Sequence, residues 1–433
     1  MNSNFGKIRK SALLQYIFLY FMLLANGSRI WIITMRRKTS VAFLLEICVI
    51  LLLVIFNIRK PQKYNFQYGY ILLAIMLINI AIVRMLNGGV GIQIWVEWAL
   101  YIAVTYLAIS IDKKNFLNRF INIMFVFGII SLIGYFFQMV SPNVLKSILP
   151  RYDSNFSIYI GYGYNTTYTA QSAWGKFLFS FDERQITKNV GIFSEPGVYQ
   201  ILLNTELFFL VFMQRSLKFS TKQYNRRLII ALIALLTTQS TTGYFGAIII
   251  FLLFYIDHRS DYKANRIRRK IIEIGLFIII VLVVDLNIRG DNSLVYSAII
   301  SKIFSDTNSI NLGASSGVYR LGTIYASSSI MLKSPLGVGY DRANAIIGSM
   351  FEGSSGAALF VTGAALGVFG FCVLIIWTLY PVLRYKNLSK MAKLSFVLIY
   401  FNTAFAQSEE IYTGLIAVAL VCYEMNKESL SKY

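Results

Sequence analysis

The chain has 433 residues, of which 56% are hydrophobic and only 14% are charged, and its mean hydropathy is +0.60. A soluble globular chain carries about 25% charged residues, so this composition indicates a membrane-embedded protein. The formal net charge is +21, from 41 Lys and Arg residues against 20 Asp and Glu residues. The single histidine, His258, and three cysteines in apolar runs exclude a disulfide framework and a Cys/His zinc site. We therefore expect neither a metal nor a cofactor.

Apolar runs long enough to cross a bilayer, about 20 residues each, recur along the whole chain. They predict spans at residues 12–34, 41–57, 68–86, 92–111, 120–140, 191–213, 271–288 and 357–380. Two longer runs, 228–256 and 394–424, are interrupted by polar residues, and each predicts a short broken hairpin. Two long external loops, 142–190 and 289–356, are rich in Ser, Gly, Asn and Tyr. The predicted fold is an all-α polytopic membrane protein with about twelve transmembrane helices, a single integral domain over 1–433.

Basic residues predict the orientation of these spans, because short loops rich in Lys and Arg stay in the cytoplasm. Alternating spans place both termini inside, and the cytoplasmic segments then hold 26 of the 41 basic residues. The exception is the cluster Arg36, Arg37 and Lys38. Basic residues flank 228–256 on both sides, so this segment must cross an even number of times and turn in the Thr/Ser/Gly cluster 237–243. The basic loops are topology signals that face lipid, and no nucleic-acid partner is expected.

The sharpest local feature is the segment GIFSEPGVYQILLNTELFF, residues 191–209, where the first external loop meets a span. Pro196 suits the first turn of a helix, and Glu195 before it lies at the positive end of the helix dipole. Glu195 is thus either a simple acidic cap or an ionisable group at the outer mouth of the bundle. Glu206 is about three helical turns further on the same face, which predicts that this face lines a cavity.

External arginines form the second set of candidate site residues, because a planar guanidinium binds phosphate through two parallel hydrogen bonds without a metal. Arg184 lies in the first external loop, and Arg320 and Arg342 lie in the second. Each of them is either a solvated surface residue or an anion ligand. Asp341 stands beside Arg342 in the turn-rich segment SPLGVGYDR, which favours an anion-binding role there and makes Asp341 a further cavity candidate.

The chain resembles the Wzy-type O-antigen and capsular polysaccharide polymerases, and the related O-antigen ligases. The similarity lies in the many spans, the two long external loops and the motifs FSEPG, TTQSTTGYFG and SGVYRLGTIYASSSIMLKSPLGVGYDRAN. It implies a glycosyltransferase at the outer face of the bacterial cytoplasmic membrane that joins undecaprenyl-pyrophosphate-linked oligosaccharide repeat units. The implied partners are this lipid-linked oligosaccharide, membrane lipids and a chain-length regulator.

The resemblance also implies roles for individual residues. They are catalysis or acceptor positioning by Glu195, and pyrophosphate binding by Arg184, Arg320 and Arg342. An external Arg followed at a fixed spacing by Gly is typical of the polymerases, and Arg342 with Gly353 meets this pattern, whereas Arg184 has Glu195 at that spacing.

Two other functions stay open from the sequence. The related ligases use an external histidine, and His258 is predicted in a cytoplasmic loop, which favours a polymerase over a ligase. A lipid-linked oligosaccharide flippase, or another transporter, would also have many spans and charged residues within the membrane.

Overall fold

The structure is a computed structural model of the chain. It describes residues 10–25, 27–30, 67–90, 115–154, 157–158, 166–167, 171–181, 183, 186–257, 273, 280, 283–290, 293, 315–350 and 357–406. The predicted spans 41–57 and 92–111, most of 271–288 and the second half of 394–424 lie outside the described residues.

The described residues form eleven α-helices, one short 3-10 turn and five short strands, so the protein is mostly helical. The helices are α1 (Lys10–Ala25), α2 (Gln67–Asn87), α3 (Phe116–Val140), α4 (Pro142–Ile148), α5 (Pro196–Phe212), α6 (Thr221–Thr237), α7 (Thr241–Asp257), α8 (Ser315–Lys333), α9 (Tyr340–Met350), α10 (Ala358–Arg384) and α11 (Lys390–Ala406). Helices α2, α3, α5 and α10 coincide with predicted spans. Helix α1 ends well before the predicted limit of its span.

Within the described residues, two helices are long and apolar enough to cross a membrane. They are α3 and residues Leu359–Arg384 of α10, with mean hydropathies of 2.2 and 2.5. Residues Ala74–Asn87 of α2, together with α5 and α7, form shorter apolar helices. The 25 residues of α3 extend over about 37 Å, which exceeds the roughly 30 Å of a hydrocarbon core. These helices indicate membrane association.

Helix α5 lies at the centre of the bundle, and residues 198–211 are all buried. It packs against α3, α6, α7 and α11. Aromatic side chains make the contacts near its C-terminal end, where Phe209 packs edge-on against Phe120 of α3 and Phe208 against Phe396 of α11. Because the helix is buried on all sides, its polar side chains face protein.

The turn between α6 and α7 lies in the Thr/Ser/Gly cluster, where the sequence predicts it. Gln239 in this turn has a positive φ of 51°. The Thr238 hydroxyl donates to the Leu235 carbonyl at 2.7 Å, and the Ser240 hydroxyl accepts from the Gly243 N–H at 3.3 Å. The polar cluster therefore supplies partners for backbone groups that two helix ends leave open.

Helix α10 is broken at Gly367, whose φ of 77° and ψ of −177° are not helical. The freed backbone groups bond to the loop between α8 and α9. The Gly339 N–H donates to the Ala365 carbonyl at 2.9 Å, and the Val368 N–H donates to the Pro335 carbonyl at 2.8 Å. The turn-rich segment SPLGVGYDR thus closes the break in α10.

The first external loop adds strands to the predicted all-α fold. The strands are β1 (Arg151–Ser154), β2 (Ser157–Ile158), β3 (Thr166–Thr167), β4 (Gln171–Lys176) and β5 (Phe179–Phe181). An antiparallel sheet has the order β1-β4-β5, and β2 pairs with β3. Phe179 and Phe181 are buried with Leu145 of α4. These aromatic residues pack the segment against the helices. Pairing between the strands then provides hydrogen-bond partners for its backbone N–H and carbonyl groups.

We expect Gly367→Ala to lower the midpoint of thermal unfolding in detergent micelles. A Cβ atom at this position would lie 2.3 Å from the Pro335 carbonyl oxygen, and the backbone conformation itself is nearly restricted to glycine. The expected cost is about 3 kcal/mol. Gly348→Ala is the matched control, because Gly348 is helical with no atom within 4 Å of a built Cβ. An unchanged midpoint for Gly367→Ala would show that the break in α10 is not rigidly held.

Candidate functional site

Glu195 stands immediately before α5 in an extended conformation, with φ of −143° and ψ of 152°. Pro196 occupies the first turn of the helix, as predicted, and the Glu195 side chain accepts no hydrogen bond from the helix N-terminus. The residue is exposed, although the helix that follows is buried. The carboxylate therefore makes no capping hydrogen bond to its own helix, although it still lies at the positive end of the helix dipole.

The end of α1 holds one side of the loop that leads to Glu195. Ser28 and Phe193 form an isolated antiparallel bridge. The Ser194 N–H donates to the Gly27 carbonyl at 2.7 Å, and the Arg29 N–H donates to the Ile192 carbonyl at 3.2 Å. The Arg29 guanidinium also donates to the Ser194 carbonyl, so a cation lies one residue from Glu195.

A buried polar cluster holds the other side of the same loop. The Asn189 amide nitrogen donates to Thr237 Oγ1 at 2.9 Å and to Ser131 Oγ at 3.3 Å, so it links α6 to α3. Its oxygen accepts from the Gly191 N–H at 3.0 Å. Tyr199, one turn into α5, forms a 2.9 Å hydrogen bond with the same Ser131 hydroxyl. Contacts with α1, α3, α5 and α6 thus fix the path of the chain up to Glu195.

Arg320 of α8 is the cation that acts electrostatically on Glu195. Burial lowers the pKa of its guanidinium from the ordinary value, and the negative charge of Glu195 acts in the opposite direction. Its Nε atom is buried and has no hydrogen-bond partner among the described residues. Arginine stays charged at neutral pH, so Arg320 presents a partly desolvated positive charge that interacts electrostatically with the exposed Glu195 carboxylate. Such a charge is well suited to an anion.

Two more predicted site residues lie at the start of α9. Arg342 is exposed, and no described residue hydrogen-bonds or ion-pairs with its guanidinium. Asp341 lies against the end of α2, with Oδ2 3.6 Å from the position of a Cβ atom on Gly89. This partial burial raises the pKa of Asp341 above its ordinary value. No contact among the described residues joins either side chain to Glu195 or Arg320.

Glu206 is enclosed by protein, with 1% of its surface exposed. Neither carboxylate oxygen has a hydrogen-bond partner among the described residues. Its electrostatic partner is Arg227 of α6, which donates through Nη2 to Asn122 Oδ1 at 2.6 Å and lies over the Phe219 ring at 4.1 Å. Glu206 therefore faces a packed polar cluster rather than the surface at which Glu195 lies.

Arg184 lies outside the described residues, so its predicted role stays a prediction. Arg29 was not a candidate in the sequence, because it falls inside the apolar run predicted as the first span, 12–34. The sequence feature that could have identified Arg29 is the Gly27-Ser28 pair, because it marks the end of α1. Ser28 then pairs with Phe193 in the loop that leads to Glu195.

The arrangement of Arg29, Glu195 and Arg320 combines one exposed carboxylate with two guanidinium groups at the start of a buried helix. A carboxylate can accept a proton from a hydroxyl group, and guanidinium groups can stabilise negative charge on a phosphate. No group of three or more potential metal ligands occurs among the described residues.

The sequence matches no protein-family model, and no curated protein is significantly similar to it.

We expect Arg29→Ala to loosen the loop before α5 without unfolding the bundle. A charge-assisted hydrogen bond contributes about 1.5 to 3 kcal/mol, so amide hydrogen exchange of the peptide that contains Ser194 should become about 10- to 100-fold faster. Arg342→Ala removes an exposed arginine without such a bond and should leave this exchange unchanged. Equal exchange in Arg29→Ala and the parent protein would show that the guanidinium does not hold the loop.

Proposed function

We propose that the protein is a polymerase of polyprenyl-pyrophosphate-linked oligosaccharide repeat units. It works at the outer face of the bacterial cytoplasmic membrane, where it transfers a glycan from one lipid carrier to the repeat unit on another. Undecaprenyl pyrophosphate is the proposed carrier, and the product is an O-antigen or a capsular or exopolysaccharide chain.

The observation that carries the proposal is the exposed Glu195 carboxylate with Arg320 acting on it. Transfer of a sugar from a pyrophosphate needs a base for the acceptor hydroxyl and positive charge for the leaving group. In the proposal Glu195 supplies the base, and Arg320, which interacts electrostatically with it, supplies the positive charge. Arg29 adds a second positive charge and fixes the loop through the Ser194 carbonyl.

In the proposed reaction, Glu195 accepts the proton of the acceptor sugar hydroxyl as that oxygen attacks the anomeric carbon of the donor glycan. The bond between the anomeric carbon and the pyrophosphate oxygen breaks, and polyprenyl pyrophosphate leaves with the electron pair. The Arg320 guanidinium stabilises the negative charge that builds on the pyrophosphate. Arg342 and Arg184 are proposed as further ligands of the two lipid-linked substrates.

The proposal includes about twelve crossings with both termini in the cytoplasm, and the directions of three described helices bear on the orientation of the central ones. Helices α3 and α6 start at the same end of the bundle, where Arg227 bonds to Asn122. Helix α5 runs the opposite way, because Tyr199 near its start contacts Ser131 and its later residues pack near the start of α3. These directions agree with the alternation predicted from basic residues, and Glu195 then lies at the outer end.

We expect Glu195→Gln and Arg320→Ala to reduce polymerisation strongly. Glu195→Gln removes the proposed general base, which costs about 10²- to 10⁴-fold in rate, and Arg320→Ala removes charge that stabilises the leaving pyrophosphate. Strains that carry either variant should make surface glycans of a single repeat unit, which gel electrophoresis resolves. Glu183→Gln is the control, since Glu183 is an exposed carboxylate of the same external loop that pairs with Lys146. Normal chain lengths in both site variants would overturn the site assignment.

The location of the substrate distinguishes the other functions. Loss of a polymerase leaves lipid-linked repeats accessible at the outer face, whereas loss of a flippase leaves them facing the cytoplasm. Loss of a ligase leaves a finished polymer on the lipid carrier. A buried Glu206 and a broken α10 are features that a transporter would also have, so this measurement decides between the two classes.

Cysteine labelling tests the topology directly. In a background without native cysteines, we expect Thr187→Cys and Ser349→Cys to react with a membrane-impermeant maleimide on spheroplasts. Lys218→Cys and Lys386→Cys are exposed at the opposite end and should react only after permeabilisation. Labelling of the last two on intact spheroplasts would contradict the proposed orientation.

A further inference from the structure

The β4-β5 hairpin lies between α1 and α3 instead of resting on the outer end of the bundle. The Phe179 ring packs directly on Gly134 of α3, 2.5 Å from the position of a Cβ atom there. At the turn, the Phe177 carbonyl accepts a 3.1 Å hydrogen bond from the Tyr20 hydroxyl of α1. The Tyr20 ring in turn packs on Phe127 of α3, with 5.9 Å between the ring centroids.

These contacts give the depth of the hairpin. Gly134 and Phe127 precede the end of α3 at Val140 by about 9 and 20 Å along the helix axis. The exposed side chains in the last two to three turns of α3 are all apolar: Ile133, Phe136, Phe137, Met139 and Val140. The apolar layer of a membrane therefore reaches the end of α3, because exposed side chains beyond that layer would include polar ones. The hairpin turn lies below the surface of this layer.

A lysine stands beside the turn. Lys176, the last residue of β4, is exposed and has no hydrogen bond or ion pair with any described residue. Directly paired residues of antiparallel strands point to the same face, as do alternate residues of one strand, so Arg151, Trp174 and Lys176 share the face that Phe179 and Phe181 pack on α3 and α4. Arg151 and Lys176 are the exposed residues of this face. The Arg151 guanidinium lies 5.7 Å from the Trp174 ring centroid. Lys146 also lies near this ring, but it is neutralised by Glu183.

We propose that the β4-β5 hairpin is a re-entrant membrane element, and that Lys176 and Arg151 bind the phosphate of an anionic phospholipid in the outer leaflet. A lysine near membrane depth is stable when its apolar stem follows apolar surface and its ammonium group reaches the headgroups. Tryptophan is enriched at that level of the membrane, which suits Trp174 between the two cations. Leu178 at the turn, 50% exposed, supplies the contact with acyl chains.

This lipid site is distinct from the Glu195 site and does not depend on the proposed reaction. A backbone contact joins the hairpin to the loop that precedes Glu195, because the Ser180 N–H at the free edge of β5 donates to the Gly191 carbonyl at 2.8 Å.

Spin labelling tests the depth. In a background with Cys48→Ala, Cys372→Ala and Cys422→Ala, a nitroxide at Leu178→Cys should collide more with oxygen than with a water-soluble nickel complex. Ile133→Cys is the lipid-facing reference, and Ser349→Cys, an exposed position of the second predicted external loop, is the aqueous reference. Accessibility at position 178 like that at position 349 would overturn the re-entrant placement.

Lipid binding tests the phosphate contact. The probe is phosphatidylglycerol, with phosphatidylcholine as the zwitterionic comparison, and binding to the purified full chain is counted by native mass spectrometry. Lys176→Gln should weaken phosphatidylglycerol binding about fivefold, as expected for one basic residue near a membrane surface, while phosphatidylcholine binding stays the same.

Lys176→Arg and the control Lys188→Gln should both keep the affinity of the parent protein for phosphatidylglycerol. Equal phosphatidylglycerol affinity in Lys176→Gln and the parent would overturn the phosphate site, whatever the spin labels show. An equal loss with phosphatidylcholine would also overturn it, because the contact would then not depend on the lipid charge.

Discussion

Backbone amide and carbonyl groups that leave helical geometry inside an apolar bundle must find partners within the protein, because lipid offers none. Three places among the described residues illustrate this constraint, and each is closed either by side chains of the turn itself or by a neighbouring segment. The end of α1 bonds to the loop before α5, hydroxyl groups close the turn between α6 and α7, and the loop after α8 closes the break in α10. The position of Glu195 follows from the first of these closures.

Enclosure of α5 by four other helices divides its polar residues into two classes. Residues within the helix face packed protein, as Glu206 does beside Arg227. Glu195, the residue just before the helix, is exposed, so its carboxylate is accessible at the start of a buried helix. Arg29, from the segment after α1, binds the Ser194 carbonyl, and Arg320 of α8 interacts electrostatically with Glu195.

The small sheet that precedes α5 makes two kinds of contact with the rest of the protein. Phe179 and Phe181 pack on α3 and α4, and Arg151 and Lys176 are exposed on the same face. The Ser180 N–H at the free edge of β5 donates to the Gly191 carbonyl in the loop that leads to Glu195. The sheet therefore links the helices to this loop through side-chain packing and a backbone hydrogen bond.

Composition and hydrophobic run length by themselves determined the membrane class, the helical character and the turn between α6 and α7, because these depend on local hydropathy and on helix-ending polar residues. The sequence also identified Pro196 as the helix start and Glu195 as a carboxylate ahead of it. Only the tertiary structure decided that Arg29 stands beside this loop and that the hairpin lies between α1 and α3. Those contacts join residues more than 100 positions apart, and no local pattern encodes them.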